Sequence, residues 1–226
     1  RQAITDAMTE GRGEVAHGWF PKGHLAYAED LEHRYPYDPE KARHLLAEAG
    51  YPNGVSFNAE IGGSFTAYVR FGELIQAQLK EAGITMNLKL IDPAQMLPRL
   101  FGTGGDGKAV IEASPLGAPP VRHPTTRFAD RFFDDGKYNP SGVEVAGIRE
   151  LVARADATQD PEERARLFQE ANRRAVEEVA SGIPIYFVTG HSAFANYVGG
   201  VKRGATRSNH IFDGLYITKG RVPVDG

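Results

Sequence analysis

The chain has 226 residues, 41% of them hydrophobic, enough for one sizeable core or a core and a half. Its 26 Lys and Arg are dispersed and outnumbered by 29 Asp and Glu, for a formal net charge of −3, which argues against a phosphate-tracking nucleic-acid surface. The absence of Cys excludes disulfides and thiolate metal sites, and no apolar run approaches the roughly 20 residues that span a bilayer as a helix.

The chain opens at Arg1 without an initiator Met and reads there as the middle of a helix, so a fragment of a longer protein is expected. The first fully signalled helix covers 39–49. Asp38 is a good N-cap, Pro39 suits the first helical position, where no amide proton is needed, and Glu40 favours the positive end of the helix dipole. Gly50 supplies the left-handed stop and Pro52 prevents continuation. Residues 55–61 alternate apolar and polar side chains, as a half-buried strand does. A helix over 66–82 follows, with Tyr68, Phe71, Leu74, Ile75 and Leu79 at helical spacing and Gly83 as its stop. A second strand is expected over 84–91, a short helix capped by Asp92-Pro93 to about 101, and a third strand over 108–113. This interleaving predicts an α/β layer structure: a mainly parallel or mixed sheet flanked by helices.

Four prolines, Pro115, Pro119, Pro120 and Pro124, then predict a surface loop from 114 to 127. Two helices are expected after it, over 143–157 and 161–180. The second is capped by Asp160-Pro161 with Glu163 at the capping-box position. Leu151, Leu167, Phe168 and Val176 face a core on these helices, and Glu162, Glu163, Arg164, Arg166, Glu177 and Glu178 form a solvated face. The remainder reads as strands over 183–188, 192–198 and 211–217.

No constellation points to catalysis. Gly102-Thr-Gly-Gly-Asp-Gly-Lys108 has the glycines of a phosphate loop, but a helix precedes it and a strand follows, and Ala109 replaces the hydroxyl that would hold magnesium. His191-Ser192 has no Gly-x-Ser-x-Gly elbow around it. The seven His residues, at 17, 24, 33, 44, 123, 191 and 210, never take the His-x-x-x-His spacing of a helical zinc site. Catalytic residues, metal ligands and cofactors are therefore not expected.

The wording of several motifs goes beyond physics. Tyr37-Asp-Pro-Glu-Lys-Ala42 followed by Leu45-Leu-Ala-Glu-Ala-Gly-Tyr-Pro-Asn-Gly54 resembles the family 5 extracellular solute-binding proteins, the peptide-binding type of receptor for ABC importers. Arg1-Gln-Ala-Ile4 with Gly11-Arg-Gly13, Ile75 to Ile84, Asp160 to Ala171, Ile183-Pro-Ile-Tyr186, Gly200-Val201 and Phe212-Asp-Gly-Leu-Tyr216 resemble the same family in the same order, across nearly the whole chain.

The resemblance implies a two-lobed receptor of which this chain is mostly the second lobe. Residues 1–190 would form that lobe, and 191–226 a return segment packed on the first. It also implies a periplasmic or extracellular location, tethering to the membrane in the full-length protein, delivery of a peptide or other small polar solute to an ABC permease, and no catalysis. A stand-alone interaction module and, less favoured, a hydrolase remain as alternatives.

The ligand-facing segment of the family corresponds to Ala113–Thr126, where peptide binders usually carry a Trp followed by Asp residues and an Asp-Pro. This chain has neither Trp nor Asp there and carries His123-Pro124 instead; Gly62-Gly63-Ser64 stands near where dipeptide binders place an Arg. The expected solute is therefore not a simple zwitterionic dipeptide but a longer peptide, an oligosaccharide or another small polar compound. The candidate contacts are Glu112, Ser114, Arg122, His123 and Arg127, with the competing reading that Arg122 and Arg127 merely solvate a loop. Self-association or local disorder is expected over 193–217, whose usual partner would be the first lobe.

Overall fold

The computed structural model describes residues 1–102, 112–115, 123–178, 182–188, 193–203, 210–211 and 214–218. Helix α1 (Gln2–Thr9) leads into strand β1 (Glu14–Val15), which pairs antiparallel with β4 (Tyr186–Phe187). A 3-10 turn at Glu29–His33 and helix α2 (Pro39–Glu48) follow. Helix α2 begins as the sequence predicts, with the Asp38 carboxylate accepting from the Lys41 amide at 2.9 Å. It buries none of its residues and is tied to Glu81 by two contacts: the Tyr37 hydroxyl, just ahead of the helix, donates to the carboxylate at 2.6 Å and the Arg43 guanidinium, from mid-helix, donates to the carbonyl.

The α/β layer is built by β2 (Val55–Gly62), α3 (Thr66–Glu81), β3 (Ile84–Ile91) and α4 (Pro93–Phe101). Strands β2 and β3 pair in parallel over their full length, from Val55 opposite Ile84 to Gly62 opposite Ile91. Helix α3 crosses over between them, as a parallel pair requires. The predicted third strand lies outside the described residues except at its end, where Ala113 bridges in parallel to Ala59 on the other side of β2. Ala59, Ile61, Phe71, Met86, Met96 and Leu100 form the buried interior of this layer.

A second, larger core is helical. It joins α5 (Pro124–Phe132), α6 (Ile148–Ala157) and α7 (Pro161–Glu177) to residues 19–31, and Phe20, Phe128, Phe132 and Phe168 lie fully buried within it. Leu151, Leu167, Phe168 and Val176 face this core as their spacing predicts.

Several expectations are corrected. The proline-rich stretch does not stay a loop to 127: Pro124 sits at the first helical position of α5, where its missing amide costs nothing, so the loop ends at His123. Helix α6 starts at Ile148 and not at 143, because buried Asn139 ties the preceding segment into a knot. Its amide donates to the carbonyls of Phe133 and Val143, both at 2.8 Å, and Gly147 takes a left-handed φ of 71° immediately before the helix. Helix α7 ends at Glu177, short of 180. Its cap is Asp160 accepting from the Glu162 amide at 3.0 Å, while Glu163 turns forward to pair with Arg166 at 2.7 Å, so no capping box forms.

The three long strands expected near the end are two-residue pieces. Besides β4 they are β5 (Val198–Gly199) with β8 (Tyr216–Ile217), and β6 (Lys202–Arg203) with β7 (His210–Ile211), each pair antiparallel. The described strands therefore form four two-stranded sheets, one of them parallel, within the α/β class expected. The glycine-rich stretch after Gly102 and the His191-Ser192 pair lie outside the described residues.

Candidate functional site

Parallel pairing sends β2, β3 and the segment ending at Ala113 out of the layer at one edge. At that edge open α/β sheets hold their ligands. The Glu60 amide donates to the Ala113 carbonyl at 2.9 Å, so the chain leaves the sheet at Ser114 beside the end of β2. There the Gly63 amide donates to the Ile91 carbonyl at 3.0 Å, the Gly62 amide meets Met96 Sδ at 3.3 Å, and Phe65 turns back as the cap of α3 with its ring 43% exposed. Gly62 lets the ring come close, since a Cβ there would lie 2.8 Å from the Phe65 ring and one of them would have to shift.

The candidate contacts fall in two places. Glu112 and Ser114 flank the bridge to β2. The Glu112 carboxylate accepts from the Asn58 amide at 2.5 Å and from the Asn58 side chain at 3.2 Å, and these bonds, the backbone one foremost, hold it below the usual carboxylate range. Its acceptors are thus engaged in pinning the segment to β2. The Ser114 hydroxyl is sealed from solvent and has no hydrogen-bond partner among the described residues, and Pro115 packs buried near Gly72 of α3.

His123 and Arg127 belong instead to the start of α5. His123 is exposed, its ring edge against Phe168 with centroids 5.8 Å apart. Thr125 Oγ1 donates to Asp156 at 2.7 Å, and its one proton is thereby used. The His123 Nδ1 contact to that oxygen at 3.1 Å must then be a donation, which fixes the tautomer. Arg127 does not solvate a loop: it is 6% exposed on the buried face of α5, a correction to the surface reading. Arg122 lies outside the described residues.

Sequence reasoning missed two further arrangements. On the sheet face, Arg99 of α4 forms a bidentate pair with Glu60 of β2, both bonds 2.8 Å, tying α4 to the layer. In the helical core Arg131, 8% exposed, lies over the rings of Trp19 and Tyr138. Its signal was present: once Pro124 is taken as a helix start, Arg127, Phe128, Arg131 and Phe132 recur at one-turn spacing and share a face. Among the described residues no three His, Asp or Glu side chains gather as a metal site would need, and no helix is long and apolar enough to cross a membrane.

Comparison with known proteins places the chain in a family and a fold. Residues 1–113 match the bacterial extracellular solute-binding proteins, family 5, in that family's middle region. The chain is 31% identical over 186 residues to the glutathione-binding protein GsiB of Salmonella choleraesuis, covering 76% of this chain and 34% of that protein. It is 29% identical over 242 residues to heme-binding protein A of Haemophilus influenzae, covering all of this chain and 40% of that protein. The chain thus spans between 34% and 40% of the length of these two curated relatives. Among solved structures, HbpA2 of Haemophilus parasuis superposes with a TM-score of 0.75 at 26% identity, over 96% of this chain and 42% of its own. The periplasmic binding protein DppA of Helicobacter pylori, solved with the peptide STSA, shares the fold with a TM-score of 0.65 at 20% identity, over 96% of this chain and 43% of its own.

Proposed function

Because this chain belongs to family 5 of the bacterial extracellular solute-binding proteins, we propose that it forms the second lobe of an ABC-importer receptor, which captures a small polar solute, a peptide among the candidates, outside the cytoplasm and passes it to a membrane permease without catalysis. The observation that carries this reading is the parallel bridge of Ala113 to Ala59, because it delivers Ser114 to the carboxyl edge of the layer beside Gly62 and Gly63. A solute held there would be closed over by a first lobe, which excludes water and strengthens each polar contact.

In this reading residues 1–190 are the ligand-binding lobe and 191–226 the return segment to the other lobe, with the whole receptor periplasmic or extracellular and tethered to the membrane. Arg122 and His123 are the first choices for solute contact, and Ser114 joins them only where solute binding opens its sealed hydroxyl. Glu112 supports them by fixing the segment, and Arg127 by filling the base of α5. No carboxylate or arginine stands at the positions where dipeptide binders anchor both ends of a peptide, so the native solute is not a simple zwitterionic dipeptide.

A thermal-shift screen of the whole receptor and of this chain tests the proposal, with glutathione, haem, dipeptides, longer peptides and oligosaccharides as probes. A ligand at a hundredfold its dissociation constant stabilises the folded state by about 2.7 kcal/mol. The expected result is a shift from one polar class in the whole receptor, weak or lost in the isolated chain. Turnover of any probe would overturn the receptor reading, and nanomolar binding of a dipeptide would overturn the solute assignment alone.

A further inference from the structure

The helical core contains a buried cation with a sealed N–H that finds no hydrogen-bond partner among the described residues. Arg131 keeps its proton in proteins and carries only donors, so its burial calls for acceptors around it. Its Nε–H is sealed from solvent and has no hydrogen-bond partner among the described residues, and none of their carboxylates forms an ion pair with it. Asp130, its neighbour in the chain, acts on it only through space. What surrounds it is aromatic. Its Cζ lies 5.3 Å from the centre of the Trp19 ring and 5.9 Å from that of Tyr138. Phe132 holds Trp19 edge-on at 5.2 Å and Phe101 holds Tyr138 edge-on at 5.5 Å, so both rings are fixed.

Ring faces offset part of the cost of burying the charge but satisfy no N–H. A second sealed donor is adjacent: Trp19 Nε1, on a residue 7% exposed, also has no partner among the described residues. Two side chains in contact, each more than nine-tenths buried, thus each present one sealed N–H with no acceptor among the described residues, and between them one positive charge. A guanidinium stacked over rings is reached along its in-plane edge, and that fork of N–H groups matches the two oxygens of a carboxylate.

We propose that Arg131 and Trp19 form a binding site for a carboxylate anion, with the guanidinium edge and the indole N–H donating to its oxygens and Tyr138 holding the guanidinium in place. A neutral ligand would leave the charge uncompensated, whereas a carboxylate supplies both acceptor and counter-charge in a largely buried setting. The site stands whether or not the solute reading above holds.

Trp19 is the only tryptophan of the chain, so its emission reports on the site directly. The test is a titration with sodium acetate at constant ionic strength, balanced with sodium chloride, beside the neutral isostere acetamide. A saturable change in Trp19 emission and a rise in thermal midpoint are expected with acetate and not with acetamide. In Arg131→Gln the apparent affinity should fall by about tenfold or more, the scale of a lost charge-assisted hydrogen bond. Equal responses to acetate and acetamide, a response that chloride reproduces, or an unchanged titration in Arg131→Gln would each overturn the site and leave Arg131 as a purely structural cation over aromatic rings. Should Arg131→Gln fail to fold, the acetate and acetamide contrast in the unaltered chain decides by itself.

Discussion

Asn172 shows what a single polar side chain does in the helical core. It is 1% exposed; its carbonyl accepts from the Trp19 amide at 3.0 Å and its amide donates to the Ala26 carbonyl at 3.0 Å, so one residue of α7 staples the 19–26 segment in place. Asn172→Ala leaves both backbone groups buried and unpaired and should cost about 2–4 kcal/mol, read by urea denaturation. No sequence signal marks this residue, since its partners lie 153 and 146 positions away. The caps Asp38, Asp92 and Asp160 were legible because each bonds an amide two or three residues ahead. His24 gives a pH dependence. Burial first, then the nearby His123 and Arg127, holds its protonation below the ordinary histidine value, and its Nδ1 accepts from the Ala26 amide at 3.2 Å. The folded state therefore takes up a proton less readily than the unfolded chain. This stability is full above the unfolded value of 6.5 and is lost as pH falls toward the depressed folded value. Thermal midpoints measured from about pH 7.5 down to 5 should drop more steeply in the native chain than in His24→Asn, which keeps an acceptor but does not titrate in that range.

At the scale of elements, helix ends were set by local chemistry and helix worth by what each helix buries. Helix α7 buries Phe168 completely while α2 leaves Leu45 52% exposed, although both are amphipathic and well capped. Phe168→Ala should therefore cost about 3–5 kcal/mol, and Leu45→Ala no more than about 0.5 kcal/mol, in the same denaturation series. The turn into the parallel pair is similarly exacting. Gly54 has a left-handed φ of 81°, and a Cβ there would lie 2.1 Å from the Gly83 carbonyl, which itself accepts from the Val55 amide at 3.3 Å. Gly54→Ala combines backbone strain with a collision against backbone and should exceed the roughly 1 kcal/mol of strain alone; an unchanged denaturation midpoint would refute it. The misread elements have physical causes too. Helix α5 begins at a proline that reads as a breaker but at the first helical position starts a helix, and α6 begins later than its periodicity predicts because Asn139 bonds the carbonyls of Phe133 and Val143, a local arrangement that no cap or hydrophobic period signals.

For the whole molecule, apolar side chains concentrate at the surface in the last part of the chain. Val188 is 69% exposed, Phe194 45%, Leu215 42%, Tyr216 58% and Ile217 64%, around strands only two residues long. Exposed apolar strand edges recruit neighbours, so concentration-dependent association is expected in sedimentation velocity, weakened by Ile217→Lys. A monomer at all concentrations, with protected amides across 193–217, would oppose it. The sequence by itself determined the α/β class, the starts of the capped helices, the two paired strands and the family, because caps, hydrophobic periods and motif wording act over a few residues and survive in one dimension. Only the tertiary structure decided that Glu112 spends its carboxylate on Asn58, that Arg127 and Arg131 turn inward, and that Trp19 meets Arg131. Those outcomes depend on segments that meet only in the folded chain, Asn58 with Glu112 across 54 residues and Trp19 with Arg131, where burial and pairing override the surface preference of a charged side chain.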